Sequence, residues 1–459
     1  MTRQINRRRF VRDAFVGAGT GFWFSTQSNR LLSMSPNQRV GIAGIGIGGK
    51  GSSDIDNAAK HGQVVAICDI DDNRLQQKAK LYPEAKPFHD FRELLSVMGN
   101  KVDAVTVSTA DHTHAAAAVA AMRLGKHVYC QKPLTHSVSE ARLMRETARQ
   151  HQVITQMGNQ GTSHDGFRAN VELVRSGALG DVHEVHVWTN RPFRDWAKGD
   201  MYWKQAPDLT SRPADKPAVP AHIKWDVWLG PAPERPYHPV YLPHDWRGWW
   251  DFGTGALGDM ACHTAAMPFM ALEPGLPARV HAVSAEVNTE TYPAWATITY
   301  EFPARDGKAP LKLVWYEGAE NGKRNLPAVK LPGGKTPTPS GSLLIGSSGR
   351  LYSPGDSGNN QFLDVAGKVA IPEQSLERLG SRLGADENQK YEWIRGIQGG
   401  TTPLSNFDFA SALTETMLLG NVAVRMGQPL NYDGKHGRVT NHEKAANLIS
   451  RPRREGWAL

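Results

Sequence analysis

Lys132 stands at the end of the apolar run His127-Val128-Tyr129-Cys130-Gln131 and is followed by Pro133. A proline disfavours the helical region for the residue before it, so this ammonium is presented from a strand end. Much later, Gly255-Ala256-Leu257-Gly258-Asp259-Met260-Ala261-Cys262-His263-Thr264 sets Asp259 and His263 four residues apart. On a helix that spacing puts both side chains on one face. An imidazole titrates near neutrality and can take a proton from a hydroxyl. Lys132 would hold and polarise the oxygen or share the proton, and Asp259 would orient His263 or the substrate. These three are the candidate catalytic residues. A metal reading of Asp259, His263 and His112 has no third ligand at a diagnostic spacing, so no metal is expected.

A second set of residues has the chemistry of phosphate binding. The strand-type run Arg39-Val40-Gly41-Ile42-Ala43 feeds into Gly44-Ile45-Gly46-Ile47-Gly48-Gly49, a G-x-G-x-x-G with glycines at 44, 46 and 49. A helix-like segment follows, and a second run, Val64-Val65-Ala66-Ile67-Cys68, ends on Asp69, twenty residues beyond Gly49. This is the layout of a dinucleotide-binding βαβ unit. Gly44 would permit the tight turn, Gly46 the approach of backbone to pyrophosphate, and Gly49 close packing of helix on strand. The helix N-terminus, with Ile47 and Gly48 in its approach, would face the phosphates with unpaired N–H groups. Asp69 would accept from a ribose 2′-OH and repel a 2′-phosphate, which favours NAD over NADP.

The elements that must position these groups read as alternating strands and helices up to about residue 158. Asp72 to Leu81 is helical, Ala104 to Ser108 a buried strand and His112 to Leu124 an alanine-rich helix. His127 to Cys130 is a strand, Ser137-Val138-Ser139-Glu140 a capping box opening a helix to about His151, and Val153 to Met157 a further strand. Such β-α repetition implies an N-terminal Rossmann-type, doubly wound parallel sheet. Thr109-Ala110-Asp111-His112-Thr113-His114 falls at its carboxyl edge, where ligands of open sheets bind. Beyond Gly158 the runs Val182 to Thr189, Val280 to Val287, Ala296 to Phe302, Leu311 to Tyr316 and Ser342 to Ile345 are β-rich with no helices between the later ones, which predicts a mostly antiparallel second sheet. Asn388 to Ile397 and Phe409 to Met426 read as helices. The expected division is 1–35 export signal, 36–158 dinucleotide-binding domain, 159–385 α+β substrate domain, and 386–459 helices and a basic tail packing back on both.

The chain of 459 residues has a formal charge of +8. Residues 1–34 hold six arginines against one acidic residue, Asp13, so much of the excess is local. No basic stripe is left to read as a nucleic-acid surface. Asn6-Arg7-Arg8-Arg9-Phe10-Val11-Arg12 resembles a twin-arginine export signal, and the apolar stretch after it, Ala14 to Phe24, is too short to span a bilayer. A periplasmic protein with no membrane segment in its mature form is the expectation. Cys68, Cys130 and Cys262 are odd in number and far apart, which fits buried apolar residues and neither a disulfide framework nor a zinc site. Eight of the thirteen tryptophans fall between Trp188 and Trp250. Flat rings with one polar edge suit the C–H faces of sugars, and Trp249 and Trp250, just ahead of the Asp259/His263 motif, are best placed to reach a ligand, although most of the others would anchor loops or an interface.

From Arg39 onward the chain resembles the Gfo/Idh/MocA oxidoreductases, whose pattern is an amino-terminal G-x-G-x-x-G, a middle E-K-P and a later D-x-x-x-H. Here these read Gly44/Gly46/Gly49, Gln131-Lys132-Pro133 and Asp259/His263. The resemblance implies a Rossmann domain, a second α/β domain whose open sheet serves homo-oligomers, a tightly held NAD, and a sugar or cyclitol substrate. Gly44, Gly46, Ile47, Gly48, Gly49, Asp69, Thr109, Ala110, His112, His114, Gln131 and Lys132 are then the candidate cofactor-binding residues. Asn159, Trp249, Trp250, Asp259 and His263 are the candidate substrate-binding ones. Gln131 departs from the family's Glu. It keeps the hydrogen-bonding shape and removes a negative charge beside Lys132, which should let the lysine release its proton more readily. The leading expectation is an exported NAD-dependent oxidoreductase of a sugar, cyclitol or glycoside. Relatives that cleave glycosides by transient oxidation offer the alternative, and a non-catalytic sensor would not need Lys132 and His263.

Overall fold

The structure is a computed structural model and describes residues 39–305, 307–367 and 373–459. The arginine-rich export motif lies outside the described residues. From Arg39 to Leu459 the chain forms one compact unit built on two sheets.

The first sheet is parallel, with strand order β3-β2-β1-β4-β5-β6. Its strands are β1 (Gly41–Ile45), β2 (Gln63–Cys68), β3 (Lys86–Phe88), β4 (Ala104–Val107), β5 (His127–Gln131) and β6 (Thr155–Gly158). Helices α1 (Lys50–Ala59), α2 (Asp72–Leu81), α3 (Phe91–Met98), α4 (His114–Arg123) and α5 (Val138–Gln150) connect them. Every residue of β1, β4, β5 and β6 is buried, as a sheet covered on both faces requires. The predicted capping box is present, Ser137 and Glu140 reciprocally satisfying the first turn of α5. The strand order reverses between β1 and β4, so the crevice at their carboxyl ends is the place for a ligand.

After helix α6 (Asp165–Arg175), strand β7 (Val182–Thr189) enters the second sheet, which has ten strands and is antiparallel except where β7 runs alongside β12 (Leu311–Glu320). The remaining order is β16 (Phe362–Val365), β15 (Gly349–Pro354) and β14 (Ser340–Gly346) on one side of β7, and β11 (Trp295–Phe302), β10 (Arg279–Ser284), β17 (Leu430–Asp433) and β18 (Arg438–Val439) beyond β12, with the short β13 (Lys323–Arg324) pairing with β12 off this path. Two short strands, β8 (Phe193–Asp195) and β9 (Asp200–Met201), make a separate hairpin before the tryptophan-rich segment, which carries the single-turn helix α7 (Trp225–Leu229). Helices α8 (Gly255–Thr264), α9 (Ala266–Leu272) and α11 (Phe407–Met426) join the core, α8 packing on β7 and β12 and α11 on β10 and β11. Asn406 caps α11 by accepting from the Asp408 and Phe409 N–H groups, and Gly427, at φ 62°, ends it. Helix α10 (Ala385–Ile397) crosses back to pack on α1.

The tryptophan-rich segment also returns to the first sheet. Asp71 and Ile223 form an antiparallel bridge, the Asp72 N–H donates to the His222 carbonyl (2.9 Å), and the Lys224 N–H donates to the Ile70 carbonyl (2.9 Å). The segment thereby lies along the exit of β2. All three cysteines are buried and free. No helix among the described residues is long and apolar enough to cross a membrane.

Candidate active site

A cavity of about 970 Å³ opens between the carboxyl edge of the first sheet, α8 and the tryptophan-rich segment. Its wall takes in Gly46, Gly48, Gly49, Asp69, Thr109, Ala110, His112, Gln131 and Lys132 from the dinucleotide half, and Asp259 and His263 from α8. Three motifs distant in sequence thus meet at one space.

At the glycine end, a Cβ on Gly46 would come within 2.8 Å of the Ser108 carbonyl oxygen, so a side chain there would displace backbone. Gly49 has no atom within 4 Å of such a Cβ; what it supplies is φ 51° at the entry to α1. The close helix packing assigned to Gly49 belongs instead to Gly51, whose Cβ would lie 1.9 Å from the Gly46 carbonyl oxygen. Helix α1 has no side-chain cap and no acid in its first turn; the Gly51 and Ser52 N–H groups donate to the Gly48 (2.9 Å) and Gly49 (3.2 Å) carbonyls, and the positive dipole end of the helix is left for an anion. These residues fit a dinucleotide. Asp69 is buried, its Oδ2 accepting from the Ile47 N–H (2.9 Å) and its Oδ1 from the Asp71 N–H (3.0 Å). Burial raises its pKa, while those two N–H groups oppose the shift. Each oxygen keeps a lone pair for a ribose hydroxyl.

At the other end the Lys132 Nζ donates to Asp259 Oδ1 (2.6 Å) and to the Asp259 carbonyl (3.0 Å). The carboxylate missing at Gln131 is therefore supplied from across the cavity, and the lysine is not left beside a neutral neighbour alone. Arg247, buried and not anticipated from sequence, lies 3.4 Å from Asp259 Oδ1 and 3.4 Å from Asp111 Oδ2. Burial works against the charge on Asp259, but Arg247 first and Lys132 next outweigh it and hold the carboxyl well below its usual range. Asp111 Oδ2 also accepts from the Thr254 hydroxyl (2.6 Å) and N–H (3.1 Å), which pins the start of α8 to the turn after β4. His263 is half-buried and has no hydrogen-bond or ion-pair partner among the described residues. Burial and then the Lys132 charge push its pKa down to about 4, with Asp356 and Asp259 opposing. The ring is thus a neutral base at pH 7, weaker than the ordinary range anticipated for it.

Several expected ligand contacts fall elsewhere. Both ring nitrogens of His112 face carbonyls, of Phe252 (3.2 Å) and Trp228 (2.9 Å), and burial followed by Arg451 pushes its pKa down to about 3. His114 is buried between the carbonyls of Pro133 (2.9 Å) and Thr109 (3.1 Å) and is off the cavity wall. Both histidines tie segments together rather than offer a nitrogen to a ligand. Asn159 is off the wall too, its Nδ2 donating to the Cys262 carbonyl (3.2 Å) and its Oδ1 accepting from the Ser405 hydroxyl (2.6 Å). Gly44 and Ile47 pack beneath the loop. Trp249 stands edge-on to Tyr241 (4.8 Å) and Trp250 against Tyr292 (3.7 Å), both buried in the core, because the turn after Gly248 aims them away from the cavity. Trp228 and Trp246 line it instead, the Arg247 guanidinium standing over the Trp246 ring at 4.4 Å. A signal for Arg247 was present in Trp246-Arg247-Gly248-Trp249-Trp250: an arginine inside an aromatic run that folds inward must find a carboxylate.

A parallel sheet of reversed strand order, a glycine-led helix with a free N-terminus and a lysine–carboxylate–histidine group across the same cavity define a dinucleotide-binding α/β protein. Residues 38–159 match the family model described as an oxidoreductase family with an NAD-binding Rossmann fold, and residues 167–336 match the model of its C-terminal α/β domain. The chain belongs to the Gfo/Idh/MocA oxidoreductase family. Among curated relatives it is 30% identical over 151 residues to inositol 2-dehydrogenase of Salmonella typhimurium, covering 32% of this chain and 44% of that protein. It is 30% identical over 221 residues to a glycosyl hydrolase family 109 protein of Solibacter usitatus, covering 44% of this chain and 50% of that one. The chain thus matches half or less of the length of these relatives. The solved WlbA dehydrogenase of Bordetella pertussis, in complex with NADH and UDP-GlcNAcA, superposes with a TM-score of 0.59 at 15% identity, covering 86% of this chain and 99% of that one. That likeness is one of fold.

Proposed function

We propose that this chain is an NAD-dependent oxidoreductase acting on a carbinol carbon of a sugar, cyclitol or glycoside. The observation that carries the reading is the Lys132–Asp259 ion pair (2.6 Å) beside an unpartnered, neutral His263 on the wall shared with the glycine loop. The backbone from Gly46 to Lys50 and the Asp69 carboxylate would hold the dinucleotide. When bound, NAD supplies the hydride acceptor. Lys132, held in place by its contact with Asp259, binds the substrate oxygen and stabilises the negative charge that develops on it. A ring nitrogen of His263 takes the hydroxyl proton, and the carboxylates of Asp259 and Asp356 favour the imidazolium so formed. Trp228 and Trp246 give the cavity flat apolar surface suited to a sugar face.

The similarity to a family 109 glycosyl hydrolase is compatible with a second reading, redox-assisted glycoside cleavage. One experiment serves both. Protein as purified is denatured and its released NAD assayed, and the intact protein is screened with sugars, cyclitols and chromogenic glycosides. Near-stoichiometric NAD with substrate-dependent nicotinamide reduction supports the oxidoreductase; aglycone release without net NADH supports cleavage. NADP alone, or no cofactor and no turnover, sinks both.

We further propose export by the twin-arginine route and assembly of copies through the open sheet. Replacing Arg7 and Arg8 with lysine conserves charge yet is expected to abolish periplasmic recovery, since the receptor reads the arginine pair. Unchanged periplasmic yield on fractionation would refute export by this route. Sedimentation of the mature protein tests assembly, and a single monomeric species refutes it.

A further inference from the structure

Behind the cavity wall lies a buried carboxylate that the proposed chemistry does not use. Asp54, on the inward face of α1, is fully buried. Its Oδ1 accepts from Lys390 Nζ (2.8 Å) and Lys50 Nζ (2.9 Å), and its Oδ2 accepts from Gln131 Nε2 (2.8 Å) and the Ser108 hydroxyl (2.8 Å). Three of these donors, Lys50, Ser108 and Gln131, belong to residues on the cavity wall. The fourth, Lys390, comes from α10, is itself fully buried, and stands over the Tyr129 ring at 3.8 Å. Lys50 also reaches Asp386 at 2.8 Å. The charged and titratable groups facing this cluster are Lys50 and Asp54 on α1, Lys390 and Asp386 on α10, Tyr129 and Cys130 on β5, and His263 on α8, which feels the Lys50 charge. The two ammonium groups balance the two carboxylates.

We propose that Asp54 is the positioning residue of the cofactor wall, holding Lys50, Ser108 and Gln131 from behind, and that residue 131 must be an amide because the anion of this layer is supplied at 54. The 2.8 Å contact needs a donor on residue 131. A carboxylate there would face the Asp54 carboxylate with no proton between them, and neither lysine contacts residue 131. Gly158 leaves no escape, since even a Cβ on it would lie 2.5 Å from Gln131 Nε2. The neutral residue next to Lys132 is in this view one half of an exchange whose other half is on α1. The proposal rests on the cavity being the dinucleotide site, but its readouts need no substrate.

The test compares full-length wild type, Gln131→Glu, Asp54→Asn and the double variant. NAD retained per chain and the melting temperature are measured from pH 5 to pH 8. Gln131→Glu is expected to retain at least tenfold less NAD at pH 8 and to regain stability as pH falls, because two carboxylates in contact take up a shared proton. Asp54→Asn leaves Lys390 buried without its anion, so its stability is expected to rise with pH, the opposite slope, as the ammonium gives up its proton. The double variant, with the carboxylate moved across the contact, is expected to lie within about threefold of wild type in retained NAD and to lose the Gln131→Glu slope, while the Lys390 slope, its anion no longer in contact, persists in weakened form. A Gln131→Glu protein with wild-type NAD and an unchanged pH profile overturns the proposal, as does a double variant no better than the worse single one. If Gln131→Glu does not fold, the Asp54→Asn slope and the double variant still decide. If wild type holds no NAD, the dinucleotide reading fails separately, and the melting slopes alone judge the Asp54–Gln131 exchange.

Discussion

Lys132→Met and His263→Ala are each expected to lower kcat by about 10² to 10⁴ while NAD stays bound. Methionine keeps most of the length of Lys132 and removes the ammonium that stabilises the oxygen; alanine removes the proton acceptor. Both groups serve one proton transfer, so the double variant should lose far less than the product of the single effects. A pH profile separates their roles. His263 has its pKa pushed down to about 4 by burial and then by the Lys132 charge, so the acid limb of wild-type kcat/KM should lie near that value. Removing Lys132 removes a positive neighbour, which raises the histidine pKa and moves the limb to higher pH. Asp69→Ala should instead loosen NAD and leave the chemistry of the bound fraction nearly intact. The measurement is single-turnover nicotinamide absorbance once a substrate is found. Wild-type rates in both single variants would move the chemistry away from this site.

The largest loss of stability is expected from Arg247→Met. The guanidinium is buried between Asp111 and Asp259, 3.4 Å from each. Breaking a buried pair by removing one partner costs about 3–5 kcal/mol, because the remaining charge is left desolvated. The pH dependence should also weaken. In wild type the folded pKa of Asp259 is depressed, so its contribution is present above the ordinary carboxylate range and lost as pH falls through the folded value. With Arg247 gone, Asp259 keeps its Lys132 contact but its pKa moves up toward the ordinary carboxylate range, so the deficit relative to wild type is largest at pH 7 and shrinks as pH falls toward about 3. Denaturant midpoints at those two pH values test this. A variant as stable as wild type at pH 7 would show that the pair contributes little.

Much of this architecture was legible before any coordinates, where periodicity and local chemistry agree. The helix predicted over Asp72 to Leu81 has those bounds, and β7 spans Val182–Thr189 as predicted. Asp259 and His263 share α8, whose first turn, with Gly255, Ala256 and Gly258 beside Leu257, is fully buried against the core. The short β3, helix α3 and strands such as β17 (Leu430–Asp433) were missed. The two strands are three and four residues long and defined by pairing rather than by pattern, whereas α3 does carry a helical pattern, with Phe91, Leu94, Leu95 and Met98 buried behind the Asp90 cap, but over only eight residues. Side-chain direction in the irregular segment was not legible at all. Nothing local distinguishes Trp246, which reaches the cavity, from Trp249 and Trp250, which do not; the difference is set by a turn that bonds to distant residues, the Trp250 N–H to the Glu290 carbonyl and the Gly248 carbonyl to the Tyr292 N–H. Of the four partners of Asp54 only Lys50, four residues before it, falls within a helical spacing rule; the other three lie 54, 77 and 336 residues away in sequence.

The segment running from Pro220 to Lys224 along the exit of β2 is held by main-chain hydrogen bonds, whereas Lys132, Asp259 and His263 project from a strand end and a helix. Backbone bonds are indifferent to which side chains the segment carries. Selectivity can therefore drift through replacements at positions such as His222, Tyr237 and His244 on the cavity wall while the reacting groups keep their geometry. The fold thus separates wall positions that can be replaced without moving the main chain from the three residues whose geometry a strand end and a helix fix.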